Sequence, residues 1–539
     1  MTDLTPHFLP DLLRDAAQDF PDRCAIDFMG AKTSYGDLWE QARHLAAGLQ
    51  AKGLKKGDRV GLMLINCPAY LQFYFATLLA GGVVVNINPL YSTKELKHIL
   101  NDSDPKFVVT LNLGQFVDKL LPLLGDRALV VVPMDQQLSL VKGLAFRLLK
   151  AKELAETPKG SLIYSDLLKD HSDFQAVDID ILRDLAVLQY TGGTTGVPKA
   201  AMLSHANLSV NAAQCRAWIP GAGRGQETAL AVIPFFHVFA LTTLLNFSVM
   251  MATTIIALPR FDLKQVLKTI HQKKPTIFPA VPTIYTAINN AKDLDKFNLR
   301  SINYCVSGGA PLPPDVKQQF EQHTGCVLVE GYGLSEASPV VSANPITGKN
   351  KAGSIGLPFP DTIVDIVSLE DRKTLMPRGE KGELCVRGPQ IMLGYWQHPL
   401  ETAEILRDGR LHTGDVATID EDGYIFIVDR IKDMILSGGY NVYPRAVEDA
   451  VYAHPAVEEC VCAGVTDAYR GEVVKIWVKL KEGEELAADE LKLFLKDHLS
   501  PIEMPKQIEF REQPLPKTLI GKLSRKALVE EELAKKTSA

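Results

Sequence analysis

The chain has 539 residues, so at about 150 residues per domain it holds three or four domain-sized units, which excludes a single small core. Hydrophobic residues make up 46% and charged residues 23%, ordinary globular values that exclude a disordered chain or a fibrous repeat. The 58 Lys and Arg against 64 Asp and Glu give a formal charge of -6, which argues against nucleic acid as a partner and leaves any basic surface local.

The first residues, MTDLTPHFLPDLLRDAAQDF, carry acidic groups from position 3 and no basic segment ahead of an apolar one, so no signal peptide is expected. The eight cysteines form no CxxC pair, which fits a reduced, cytoplasmic setting. From about residue 57, β-branched runs (GDRVGLML, GGVVVNI, KFVVTL, LVVV) alternate with amphipathic stretches, the mark of an α/β architecture.

Residues 138–152, LSLVKGLAFRLLKAK, place Leu140, Leu144 and Leu148 at i, i+4 spacing beside Lys142, Arg147, Lys150 and Lys152. That pattern predicts a basic amphipathic helix, which would lie either on anionic lipid or on the protein's own surface; Gly143 weakens it as a helix. Next comes Tyr190-Thr-Gly-Gly-Thr-Thr-Gly-Val-Pro-Lys199 after the run LAVLQY. Glycine-freed amides, threonine hydroxyls and one lysine make a donor-rich cradle for phosphate oxygens, yet neither the Walker pattern nor GxGxxG is met.

No Asp, Glu, Lys or Arg occurs over 228–259, a length that could span a bilayer. Pro234, His237, Asn246 and several threonines interrupt it, so a dry internal wall is the expectation. Two more glycine clusters follow apolar runs, Gly308 and Gly309 after INYCV and Gly331 and Gly333 after CVLVE. Ligands in open α/β sheets bind outside the carboxyl ends of strands, so three such loops can converge on one site. Beyond 350 the chain turns to short strands (GELCVRG, LHTGDVATIDEDG, YIFIVDR), expected as a β-rich part over about 350–431. A separate C-terminal α+β domain is expected over 432–539, with a helix near 445–453, strands in VEECVCAGV and VVKIWVKL, a helix around ADELKLFLKDHL, and a basic tail.

At this point the sequence resembles the adenylate-forming acyl-CoA synthetases, relatives of luciferase and of peptide-synthetase adenylation domains. YTGGTTGVPKAAMLSHAN resembles their phosphate-loop signature, VEGYGLSEAS their adenine and magnesium signature, and LHTGDVATIDEDGYIFIVDR their ribose signature. IVDRIKDMILSGGYNVYPRAVE resembles the hinge segment and LPKTLIGKLSRKAL the terminal catalytic-lysine segment. Finer matches in VVNINPLYSTKELKHILNDS, GSIGLP and GELCVRGPQIMLGYWQHP are similar to bacterial long-chain fatty acid:CoA ligases.

The resemblance implies a large α/β body of stacked subdomains plus a small mobile C-terminal domain, with a fatty acid, ATP and CoA as substrates and Mg2+ as cofactor. It implies that Thr191, Gly192, Gly193, Thr194, Thr195, Gly196 and Lys199 hold the β,γ-phosphates, and that Thr191 and Glu336 bind Mg2+. Gly308, Gly309 and Ala310 would line the adenine pocket with Gly331, Tyr332 and Gly333, Tyr332 stacking on the base and Ser335 bonding the α-phosphate. Asp415 and Arg430 would hold the ribose, and Lys522 would be the catalytic lysine, although Ile520 replaces the usual threonine two residues before it. Lys432 would be the hinge, with Ser437, Gly438 and Gly439 facing CoA, and the run from Phe235 to Leu258 would wall an acyl tunnel with His237 near its mouth. The basic amphipathic pattern of 138–152 leaves peripheral contact with the inner face of the membrane, where an insoluble substrate would partition, open beside packing on the protein's own surface, and a homodimer is also left open.

Overall fold

The computed structural model describes residues 3–169, 174–191, 198–437, 440–467, 471–517 and 523–537. They pack as two compact units, Met1–Ile363 with Arg387–Gly409, and Val364–Val386 with Arg410–Ala539. The expected β-rich stretch is thus divided between them, and Lys432 falls inside the second unit.

The first unit carries the α/β layers. A seven-stranded sheet runs in the order Leu162–Ile163, Ala128–Val132, Phe107–Leu111, Arg59–Met63, Val83–Asn86, Leu185–Tyr190, Ala200–Ser204. Its strands are parallel except the last pair, where Ala200–Ser204 returns antiparallel to Leu185–Tyr190. Burial on both faces explains the unbroken apolar runs seen in the sequence. The helix Pro68–Leu79 is buried along its whole length, starts at a proline that needs no N–H, and shows no polar face.

A second sheet takes Thr228–Ala231, Thr254–Ala257, Cys24–Phe28 and Ala31–Ser34 in that order. A third takes Tyr304–Ser307, Val327–Gly333, Val340–Ala343 and Leu357–Pro358, and Ile277 bridges both Ala229 and Tyr304 to join the two sheets. The charge-free run therefore forms two parallel neighbouring strands with a helical excursion between them, including a π-helical turn at Leu241–Asn246. No helix among the described residues is long and apolar enough to cross a membrane.

In the second unit, Ile363–Val367, Gly382–Arg387, Arg410–Ile419 and Ile425–Arg430 form one sheet. Another pairs Val457–Asp467 with Gly471–Leu480 and adds Ile435–Ser437, Tyr440–Val442 and Gln507–Phe510. Alternation along these strands separates two cores: Cys460, Cys462, Val474, Ile476 and Val478 face the helices Pro444–Tyr452 and Ala488–Leu495, whereas Val461, Ala463, Val465, Val473 and Trp477 pack with Leu515 and Leu528. All eight cysteines are free thiols, and seven are buried.

Candidate active site

The strand Leu185–Tyr190 delivers Thr191, whose N–H donates to the Lys199 carbonyl at 2.9 Å and closes the neck of the phosphate loop. Gly192, Gly193, Thr194, Thr195 and Gly196 lie outside the described residues. Beyond the neck, Ala200–Ser204 leads into the helix His205–Trp218, which starts in a capping box of Ser204 and Asn207. The Asn207 amide also donates to the Pro389 and Ile391 carbonyls at 2.8 and 2.9 Å. This fixes the segment 389–396 alongside the return strand, where Leu393 N–H donates to the Met202 carbonyl, Met202 N–H to Gly394, and Trp396 N–H to Ala200. Gly394 sits at φ +140°, a backbone conformation that side chains disfavour.

That ladder aims Tyr395. Its hydroxyl donates to Glu336 Oε1 at 2.6 Å, and the Lys199 ammonium lies 5.6 Å from its ring centroid and 3.3 Å from Glu401 Oε1. Burial, together with the Glu336 charge, pushes the Tyr395 phenol well above its ordinary range, so it remains a donor. Lys199 and Glu336, both singled out in the sequence, therefore meet at a third residue that was not, and Thr191 is tied to Lys199 through the carbonyl of that lysine. Tyr190 is anchored below them, its hydroxyl 2.5 Å from Asp102 Oδ2, while Trp396 donates to the Asp102 carbonyl at 3.1 Å.

Gly308 to Ala310 and Gly331 to Ser335 leave the carboxyl ends of two adjacent parallel strands, paired from Tyr304–Val327 to Ser307–Glu330. A Cβ on Gly308 would come within 3.1 Å of the Phe239 ring, so that glycine lets the PFFHVFA segment pack directly on the turn. A Cβ on Gly333 would collide with the Pro339 carbonyl. Tyr332 and Ser335 are half-buried, with Ser335 opening the short turn Ser335–Ala337.

His237 caps the next helical turn, its Nδ1 accepting the Phe239 N–H at 3.3 Å. A buried amide network holds its segment: Asn66 accepts from Phe235 N–H at 2.7 Å and donates to the Ile233 carbonyl at 2.9 Å. Asn86 donates to Gln189 at 2.9 Å, and Gln189 donates to the Phe236 carbonyl at 3.1 Å. The wall of the uncharged run is thus tied to the strand that feeds the phosphate loop.

The second unit brings Asp415 and Arg430 together as register partners, the guanidinium Nε 3.2 Å from Asp415 Oδ1. Beneath this turn lies a buried network in which Arg372 grips Glu383 at 2.8 and 2.6 Å, while Glu383 meets His412 Nδ1 at 2.9 Å and accepts the Gly414 N–H at 3.2 Å. Cys385 lies 3.3 Å from the same His412 nitrogen. Glu383, Cys385 and His412 are the one grouping with metal-ligand spacing among the described residues. The Arg372 charge already occupies both Glu383 oxygens, so we read it as an ion-pair network rather than a metal centre. Burial favours the neutral acid at Glu383, but Arg372 and His412 outweigh it and hold the carboxyl below its usual range.

Lys432 is exposed in the turn Ile431–Asp433 and Ser437 is buried at the end of its strand, whereas Gly438, Gly439 and Lys522 lie outside the described residues. Arg525, three positions after Lys522, donates to the Cys462 carbonyl at 2.6 Å, to Asp433 at 2.7 Å and to Glu448 at 2.8 Å. These carboxylates outweigh burial and keep the guanidinium charged. In the sequence Arg525 looks like another cation of a basic tail.

Hard oxygen donors suit Mg2+, and the Thr191 hydroxyl and the half-buried Glu336 carboxylate are each a donor of that kind. The Tyr395 bond takes one carboxylate oxygen and fixes its orientation, as an outer partner of a metal ligand does.

A fold with glycine turns at the carboxyl ends of parallel strands and a lysine and carboxylate beside a phosphate-type loop defines a nucleotide-binding enzyme body. The model of the AMP-binding enzyme family matches residues 13–396, and that of the AMP-binding enzyme C-terminal domain matches 446–522. A long-chain-fatty-acid–CoA ligase of Bacillus subtilis (strain 168) is 45% identical over 98% of this chain and 96% of its own length. A feruloyl-CoA synthase of Amycolatopsis sp is 36% identical over 93% and 94%. Among solved structures, ATP-bound MatB from Rhodopseudomonas palustris superposes with a TM-score of 0.83 at 30% identity, covering 97% of this chain and 98% of that one. The chain belongs to the AMP-binding enzyme family, the adenylate-forming superfamily. Its activity is that of an ATP-dependent, AMP-forming ligase.

Proposed function

We propose that the chain is a long-chain fatty acid:CoA ligase. A carboxylate cannot acylate a thiol directly, because its leaving group would be oxide. The fatty carboxylate therefore attacks the α-phosphorus of ATP, forming acyl-AMP and releasing pyrophosphate, and the CoA sulfur then displaces AMP to give the thioester. The observation that carries the reading is the meeting of Lys199 and Glu336 at Tyr395, beside the Thr191–Lys199 backbone bond at the neck of the phosphate loop. It is supported by the ligase of Bacillus subtilis that matches along nearly the whole chain.

In this reading the loop 191–199 grips the departing phosphates, and Gly308, Gly309, Ala310, Gly331, Tyr332 and Gly333 line the adenine site. Ser335 bonds the α-phosphate, and Asp415 accepts the ribose hydroxyls while Arg430 steadies it. Thr191 and Glu336 would hold Mg2+, which neutralises charge on the triphosphate when bound. Lys522 supplies the positive group where charge builds in acyl transfer to phosphate. The C-terminal part from 432 turns about Lys432 between the half-reactions, and Ser437, Gly438 and Gly439 then face the pantetheine arm.

The run from Phe235 to Leu258 walls the acyl tunnel. At about 0.8 kcal/mol per buried CH2, a partly buried long chain supplies several kcal/mol to hold its carboxylate, with His237 near the mouth. The reading extends to peripheral contact with anionic membrane through 138–152 and to a homodimer, the latter read by sedimentation equilibrium.

An aryl-acid ligase is the second reading, favoured by the feruloyl-CoA synthase relative. Assaying CoA thioester across fatty acids from C6 to C18 and aryl acids tests both, with kcat/KM expected to peak among the long chains. A peak for ferulate-like acids overturns the long-chain reading, and acyl-AMP without thioester would make the enzyme an acyl-AMP ligase.

A further inference from the structure

The segment 138–152 is helical over Leu140–Leu149, as its spacing predicts, but the way it is seated differs from a basic surface helix. Gly143 is buried against the preceding turn, where a Cβ would stand 2.5 Å from the Asp135 carbonyl oxygen. This glycine is the point of contact rather than a defect in the helix. Phe146 packs onto the main core beside it. Two of the cations serve the same seating: Lys142 Nζ donates to the Met29 carbonyl at 2.5 Å, and Arg147 pairs with Asp135 at 2.6 Å.

With the inner face fixed in this way, the outer face is apolar. Leu140 is 94% exposed, Val141 81%, Leu144 61%, Leu148 72% and Leu149 82%. At about 100° per residue these five side chains share one half of the helix. Arg147 flanks the stripe on one side and Lys142 on the other, while Lys150, at the end of the helix, pairs with the exposed Glu153 at 2.5 Å and Lys152 follows in the next turn. Residues 135–153 contain four cations (Lys142, Arg147, Lys150, Lys152) and two anions (Asp135, Glu153), a net of +2 in a chain whose total is -6. An exposed aliphatic stripe with surface cations at the end of its helix is the chemistry of a helix lying in a lipid interface.

We propose that the Leu140–Leu149 helix docks the enzyme on an anionic bilayer, inserting Leu140, Val141, Leu144, Leu148 and Leu149 among the acyl chains while Lys150 and Lys152 meet the headgroups. The occupant is lipid because the stripe offers no aromatic anchor for a protein partner, because the charge around it is net positive and so complementary to anionic phosphate, and because the substrate class proposed above resides in membranes. This last point alone rests on the fatty-acid reading; the docking itself is read independently of it.

The test is flotation of the full chain with vesicles of phosphatidylcholine containing 30 mol% phosphatidylglycerol, against phosphatidylcholine alone. The wild type should float with the anionic vesicles, and high salt should reduce its bound fraction. The variant L140Q/L144Q/L148Q alters only exposed positions of a helix in which glutamine is well tolerated. Its partition coefficient should fall at least tenfold with thermal unfolding unchanged. K150E/K152E, which spares the contacts to Met29 and Asp135, should lose binding to anionic vesicles specifically. Wild type that stays with the soluble fraction, or a triple variant that floats as well as wild type, overturns the proposal. So does a wild-type dimer that the triple variant converts to monomer without any change in flotation, since the stripe would then join two copies of the chain. Thioester formation from a long-chain acid presented in detergent is measured in parallel, and its absence counts against the fatty-acid reading without touching the docking result.

Discussion

The Tyr395 hydroxyl donates to Glu336 Oε1 at 2.6 Å across 59 residues of sequence, and the same ring carries the Lys199 ammonium at 5.6 Å from its centroid. One side chain thus orients the carboxylate assigned to the metal and borders the lysine assigned to phosphate. A hydrogen bond to a charged group is worth about 1.5–3 kcal/mol. Tyr395→Phe should accordingly lower ATP–pyrophosphate exchange by about ten- to a hundredfold, partly recovered by raising Mg2+. Exchange at the wild-type rate and wild-type Mg2+ dependence would show that the phenol does not orient Glu336.

The roles proposed for Lys522 and Lys432 fall on different half-reactions. Lys522→Ala should abolish acyl-adenylate formation while thioester formation from supplied acyl-AMP largely survives. Lys432→Pro, which restricts the backbone of the turn Ile431–Asp433, should do the reverse, sparing adenylation and slowing thioester release. Pyrophosphate release and thioester formation from synthetic acyl-AMP are measured separately for each variant; equal damage to both steps in either one removes its assigned role.

Arg525 joins the strand Val457–Asp467, the helix Pro444–Tyr452 and Asp433, all through one guanidinium. Removing one partner of a largely buried ion pair costs about 3–5 kcal/mol because it strands the other charge. Arg525→Gln should therefore lower the urea midpoint of the C-terminal transition. Because Arg525 closely follows Lys522, adenylation should suffer more than thioester formation from acyl-AMP. Arg525→Lys, which keeps the charge but not the fork, should restore part of the stability. A variant as stable as wild type would mean that these bonds contribute nothing net.

Much of this was legible in the sequence. The runs LAVLQY, TTIIAL, INYCV and CVLVEGY all form strands, the first two buried almost throughout and the last two only in part, because short apolar stretches bounded by turn residues have few alternatives. Gly308 and Gly309 do follow their strand in a bend, whereas Gly331 and Gly333, expected after a strand, continue it and pair with Ala343 and Val340. Tyr395 was not, since its meaning comes from a β-bridge to Ala201 and from Asn207 holding Pro389 and Ile391 nearly two hundred positions away, relationships that leave no local periodicity. Arg525 was hidden by composition, as one cation among several in a basic tail. In the segment 138–152 the spacing revealed a helix but not its outward side. That was decided by the fit of Gly143 against Asp135, which turns the leucines outward.

His205, in the LSHAN stretch after the phosphate loop, is 1% exposed, and its Nδ1 finds no hydrogen-bond partner among the described residues. Its ring lies 4.9 Å from that of Phe8, and burial holds its pKa down to about 3. The folded state therefore keeps His205 neutral where the unfolded chain, with an ordinary value near 6.5, takes up a proton. Protons then bind preferentially to the unfolded state, so this residue's contribution is fully present above about pH 6.5 and is lost as pH falls toward 3. Between pH 6.5 and 5 the loss is about 1.6 kcal/mol from this group alone. Thermal or urea unfolding of wild type and His205→Gln, followed across that range, isolates the term as the difference between their slopes. The variant is expected to be less stable at pH 7.5 yet flatter with pH. Parallel slopes would mean that His205 protonates in the folded state as readily as in the unfolded chain.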